Sequence, residues 1–220
     1  MRLREFDGAF ICAQGSGNRP DTRLGHSLRM LHSAREAALA LLDGGPHEHA
    51  CVLRTLLKFG LEPLRFAGRH GIRVVPLGRH ESYGARSPAL RRLAIDVDAW
   101  PAPPAGLFVV EERAVYLRSR SAMTVAHEFG HALDCALGGG IYRSGVDPVL
   151  RRLFSEARAF VTPYAATGAD EYFAECLRAY VEANDAHSFW PRATRARLAR
   201  IDPAMFEYVE RLFTAELICA

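Results

Sequence analysis

The stretch SAMTVAHEFGHALDCALGGG, residues 121–140, constrains this chain more than any other. Histidine is a middling helix former, and two imidazoles one turn apart are an odd choice for a core. A helix turns by about 100° per residue, so positions i and i+4 lie about 40° apart around the axis and about 6 Å along it. His127 and His131 therefore point the same way, close enough to grip one ion. Zinc takes imidazole nitrogens at about 2.0–2.1 Å and prefers four ligands, one of them water where the site is catalytic. Glu128 follows the first histidine, where its carboxylate can reach that water without binding the metal. This HExxH spacing predicts one Zn2+ per chain, His127 and His131 as ligands and Glu128 as the general base. Gly130 costs about 1 kcal/mol relative to alanine inside a helix. Its presence implies that something approaches the helix backbone closely there.

Two histidines do not complete a site. The downstream acids are Asp134, Asp147, Glu156, Asp170, Glu171, Glu175, Glu182 and Asp185. Asp134 shares the histidine helix and its short side chain cannot easily bend back to the ion, so it is expected to orient a ligand. Glu171 and Glu175, in ADEYFAECLRAYVEA, stand at i and i+4 on one face of a predicted helix. Like charges at that spacing repel, and a cation before them removes the penalty. Glu171 is then the third ligand, and Glu175, one turn deeper, accepts a hydrogen bond from a metal-bound imidazole and fixes its tautomer. Taken alone, the same two acids also read as a solvated stripe paired with Arg178.

The rest of the chain supplies a scaffold. Hydrophobic residues make up 49% and charged residues 24% of 220, which calls for a packed core. The patterning predicts helices over 24–42, 48–59, 147–160 and 170–182, and two more split at Asp202-Pro203. It predicts a buried strand over 71–77 and a hairpin over 106–119 that turns at Glu111-Glu112-Arg113. The fold class is therefore α+β, rich in helix, with a small sheet beside the HExxH helix, and the expected division is an N-terminal helical segment over 1–65 and a catalytic domain over 66–220. Five cysteines, at 12, 51, 135, 176 and 219, match no zinc knuckle and are read as reduced thiols. The net charge is only +3, and the arginine clusters read as solvated helix faces, so no nucleic-acid partner is expected. His47 and His49 diverge on a helix and lack a third group, and His70 and His80 fall in loops without an assigned role. No membrane span and no Sec signal are legible, which implies a cytoplasmic protein or one exported without such a mark.

HEFGHALD taken together with YAATGADEYFAE resembles the catalytic domain of anthrax-toxin lethal factor and its relatives, which include bacterial Pro-Pro endopeptidases. The resemblance covers residues 70–215. It implies a zincin-like metallopeptidase fold with Glu171 as the third ligand, in the first position of the E-Y-F-A-E segment. It also implies that Tyr164, seven residues earlier, assists catalysis by holding the oxyanion. Read without the resemblance, Tyr164 is a packing residue. The expected activity is zinc-dependent cleavage of an extended protein or peptide, with proline near the cut and a setting as a bacterial toxin or effector. The strand AVYLR, with Val115, Tyr116 and Leu117, is expected to be the sheet edge that pairs with substrate. Two rival readings are an ImmA/IrrE-like regulatory zinc peptidase and a binding module with purely structural zinc. The second needs a fourth protein ligand, for which Cys135 and Cys176 are near in sequence.

Overall fold

The computed structural model describes residues 22–45, 49–186, 188 and 192–216. Helix α1 (Thr22–Leu41) is followed by α2 (Ala50–Leu57), α3 (Leu61–Arg69) and strand β1 (Arg73–Pro76). Two short helices, α4 (Tyr83–Arg86) and α5 (Pro88–Arg92), precede strands β2 (Gly106–Val109) and β3 (Ala114–Leu117). Then come α6 (Ala122–Leu137), α7 (Arg143–Val146), α8 (Pro148–Glu156) and α9 (Ala169–Tyr180), followed by α10 (Arg195–Ile201), α11 (Pro203–Arg211) and a π-helical turn over Leu212–Glu216. The α+β, helix-rich architecture is the one expected. No helix among the described residues is long and apolar enough to cross a membrane. His47 and Glu48 of the HEH triplet, and Cys12 and Cys219, lie outside the described residues.

Helix α3 falls in the gap between the helix expected over 48–59 and the strand expected over 71–77. Pro63 sits in the first turn, where no intrahelical N–H is needed, and Gly60 supplies the entry with φ of 81°. Residue 65 lies inside this helix, and buried residues on both sides of it share one core. Ala38 and Leu56 from the N-terminal helices join Phe129 and Leu133 of α6 and Phe173 of α9.

The sheet has the order β1-β3-β2, with β1 parallel and β2 antiparallel to β3. Arg113 closes the β2–β3 connection in the left-handed conformation, at φ of 51°. Side chains of β3 alternate between two cores. Val115 and Leu117 face the large helical core, whereas Ala114 and Tyr116 face a smaller one built with Val75, Tyr83, Leu90 and Val97. This corrects the expected sheet edge. β3 is the central strand, and Val115, Tyr116 and Leu117 are 1%, 2% and 0% exposed. An unbroken apolar run marks a strand covered on both faces, so AVYL was a sign of centrality. The free edge on the hairpin side belongs to β2.

Helices α6 and α9 pack closely, and Gly130 is where they meet. A Cβ on Gly130 would lie 2.9 Å from Ala174 Cα and 3.3 Å from its carbonyl oxygen. The neighbouring group that Gly130 implied is thus the backbone of α9. Gly130→Ala should gain about 1 kcal/mol of helix propensity and lose more to overpacking against backbone that cannot swing away. A fall in Tm of about 2–8 °C is expected in a thermal melt, and an unchanged or higher Tm would show that α9 can retreat at no cost.

Candidate active site

Ser121 starts α6 by accepting a hydrogen bond from Thr124 N–H through its side chain. From that fixed start, Ala126, Phe129, Gly130 and Leu133 are buried and His127 and Glu128 emerge at the margin of the core. α9 crosses behind the histidines and presents Glu171 and Glu175 to them.

Three atoms converge. The Nε2 atoms of His127 and His131 lie 3.1 Å apart. Glu171 Oε2 lies 3.0 Å from the first and 3.3 Å from the second. Ligands at about 2.0–2.1 Å in a tetrahedron stand about 3.3 Å apart, so the triangle has the size of one zinc face. Among the described residues, these three form the group able to hold a metal ion. Neither Cys135 nor Cys176 joins them, and both are buried elsewhere in the core.

The chemistry of the donors fits a cation as well. Glu175 Oε1 lies 3.0 Å from His127 Nδ1. An ionised carboxylate can only accept, so Nδ1 carries the proton and the Nε2 lone pair faces the triad. Glu171 Oε2 is buried and accepts no hydrogen bond, although two ring nitrogens are near. Lone pairs that face one another without a proton between them repel, and a divalent cation at their centre removes the repulsion. The site also demands positive charge. Burial disfavours an imidazolium at His127, yet the carboxylates of Glu171 and Glu175 outweigh it and lift its pKa to about 10.

Glu175 is itself fixed from three sides. Arg178 reaches both carboxylate oxygens at 2.8 Å through Nε and Nη2, and Thr162 Oγ1 donates at 2.5 Å. Burial raises the Glu175 carboxyl, but the bonds from His127 and Arg178 prevail and hold it at about 2. Arg178 is 1% exposed and gives its remaining donors to Ala183 O and Asn184 Oδ1. The solvated stripe once open to Glu171 and Glu175 is therefore absent. The i+3 spacing from Glu175 is the one local sign of this buried arginine.

Asp134 does not do what was expected of it. It is fully buried, and its carboxylate accepts from Ser144 N–H at 2.8 Å and from the Ser144 hydroxyl. It ties α7 to α6, because the loop after Gly138 folds back within reach of a short side chain. His131 Nδ1 has no hydrogen-bond partner among the described residues.

Glu128 and Tyr164 line one cleft of about 340 Å3 together with His127, Gly106, Met123 and Pro104. Burial pushes the Glu128 carboxyl above its usual 4.5, and the nearby His127 and His131 pull it back in part. The Tyr164 hydroxyl donates to Glu171 Oε1 at 3.1 Å, and its ring is 5.4 Å from that of His127. Burial and the adjacent Glu171 charge keep the phenol protonated. Tyr164 is 44% exposed, so it roofs the site and does not serve as a packing residue.

The wall of the cleft is the open edge of β2. Arg118 N–H donates to Ala105 O, and antiparallel pairing alternates. Leu107 and Val109 therefore bond to β3, while the backbone groups of Gly106 and Phe108 face outward. A Cβ on Gly106 would lie 2.5 Å from Glu128 Cγ and 2.7 Å from Thr124 Cγ2. Only glycine lets the edge strand come this close to Glu128.

No family model matches this chain, and no curated protein matches it. Among solved structures, the Pro-Pro endopeptidase PPEP-2 from Paenibacillus alvei is similar, with a TM-score of 0.57. The match covers 80% of this chain and 99% of that one at 20% sequence identity. At that identity the likeness shows a shared fold.

The Glu175 network makes a separable prediction. Glu175→Gln should weaken the binding of a divalent cation by about 10–100-fold and destabilise the fold by about 3–5 kcal/mol, since Arg178 stays buried and unpaired. The pair Glu175→Gln with Arg178→Met should recover stability but not affinity. Competition with a chromophoric chelator and denaturant melts read the two quantities, and joint recovery of both would refute the assigned role of Glu175.

Proposed function

We propose that the protein is a zinc-dependent endopeptidase that cleaves an extended protein segment. The observation that carries this reading is the convergence of His127 Nε2, His131 Nε2 and Glu171 Oε2 beside a half-buried Glu128 in a cleft with a free strand edge. Zinc bound there supplies a Lewis acid that brings the pKa of water toward about 7.

The chain's own residues perform the rest. Glu128, with a raised pKa, takes a proton from the attacking water and passes it to the leaving amine. Tyr164, protonated and over the cleft, offers its hydroxyl to the oxyanion as charge develops. Glu175, braced by Arg178 and Thr162, keeps His127 in the tautomer that faces the metal. Gly106 and Phe108 offer backbone groups to a peptide that adds itself to the sheet.

The similar solved structure is named a Pro-Pro endopeptidase, so bonds flanked by proline are the first specificity to test. Delivery into another cell as a toxin or effector belongs to the same reading, and confinement to the producer's cytosol with an endogenous target would count against it.

A proteome-derived peptide library digested with and without a chelator tests the proposal, with all cleavage expected to be lost on chelation. Glu128→Gln should retain bound zinc and the fold but lose about 10²–10⁴-fold in rate. Tyr164→Phe should lose about 10²–10³-fold in kcat with zinc affinity nearly unchanged. A purified protein that takes up no zinc, or a Glu128→Gln variant that cuts as fast as the parent, would end this reading.

A further inference from the structure

We propose that a basic groove at the end of the sheet is a subsite for an acidic side chain of the substrate, C-terminal to the cut bond. The inference rests on the peptidase reading above and names the substrate class for the same cleft.

The groove, of about 720 Å3, opens where β1 and β3 end side by side, and it is lined by Arg79, His80, Glu81, Asp98, Arg118 and Arg120. It adjoins the cleft. The N–H groups of Arg118 and Ser119 both donate to Ala105 O, at 3.0 and 2.7 Å. Tyr83 donates its hydroxyl to Pro104 O at 2.7 Å, and the Arg118 guanidinium lies over the Tyr83 ring at 4.8 Å. Pro104 and Ala105 line the cleft itself. Little more than this junction separates the two.

The groove's anions are already committed. Glu81 accepts from Gly78 N–H at 2.8 Å and meets Arg86 at 3.5 Å. Asp98 accepts from Gly84 N–H at 3.1 Å and pairs with Arg118. Arg118 is committed with them, to Asp98 and the Tyr83 ring, but two arginines are not. Arg120 gives a single bond, to Leu77 O at 3.2 Å. Arg79 is exposed and makes no hydrogen bond or ion pair among the described residues. Each guanidinium has five donors in a fork that fits a carboxylate.

On this proposal the peptide adds antiparallel to β2, as β3 does on the other side. An antiparallel peptide on the edge of β2 runs from the Val109 end toward Gly106. Its C-terminal part then passes Gly106, Ala105 and Pro104 and arrives at the groove. The same fork on a free surface would merely be solvated; here it stands at the exit of a cleft that fits an extended chain.

The test uses one cleavable core peptide, found by the library digest, extended past the cut by four residues rich in either Asp and Glu or Lys and Arg. The acidic form should show about tenfold higher kcat/KM, mostly through KM, and the ratio should shrink at 0.5 M salt. In Arg79→Glu with Arg120→Glu the ratio should fall to one or below, and the exposed single change Arg79→Gln should give an intermediate value. A wild-type ratio of one, a ratio that both variants leave intact, or a preference confined to acids placed before the cut would overturn the proposal. Fluorescence anisotropy of the labelled peptides on Glu128→Gln protein reads the same preference without chemistry. If wild-type protein cuts no peptide at all, the peptidase reading fails, and the anisotropy ratio of one uncleaved extended peptide carrying the same acidic or basic four-residue tails then upholds or overturns the acid-binding groove.

Discussion

The close crossing of α6 and α9 at Gly130 and Ala174 is the constraint on which the site depends. A glycine there brings two helix backbones together at a separation that a methyl group would forbid. That approach sets Glu171 and Glu175 one turn apart on α9, against His127 and His131 one turn apart on α6. One acid meets both imidazole Nε2 atoms and the other takes the Nδ1 proton of His127. Two helical periods brought into register thus produce a ligand triangle and its bracing in one contact.

Charge follows from that geometry. Glu128, Glu171 and Glu175 crowd into a half-buried region, with Arg178 as the buried counter-charge on the far side. Arg178 offsets Glu175, whereas Glu171 has only the ring nitrogens of His127 and His131 to answer its charge and Glu128 has no cation of its own. A buried charge without a partner is costly, so an arrangement of this kind calls for a metal ion at its open face. The glycine of β2 and the phenol of Tyr164 then close the cleft from two sides, one by letting the strand approach and the other by standing over the triad.

Much of this could be read from local pattern. The i, i+4 histidines, the intervening glutamate and the Glu171–Glu175 pair each make a demand that a helix of 3.6 residues per turn turns into a shared face. Gly130 announced a close neighbour, and the split at Asp202-Pro203 appears between α10 and α11. Other features were misread because local pattern was ambiguous. AVYL was taken for an edge when its unbroken apolar run marks a strand covered on both faces, and Asp134 shares a helix with His131 but is spent on Ser144. Helix α3 falls in the gap between two expected elements, with a proline that its first turn tolerates.

The sequence by itself determined which side chains could share a helix face, because that depends only on the rise and turn of the chain over a few residues. Tertiary structure decided which faces meet: that β2 and not β3 offers the edge, that Arg178 is buried against Glu175, and that Arg79 and Arg120 line one groove. These pairings join residues tens of positions apart. They are set by how helices and strands pack over one core, and no periodicity along the chain carries that information.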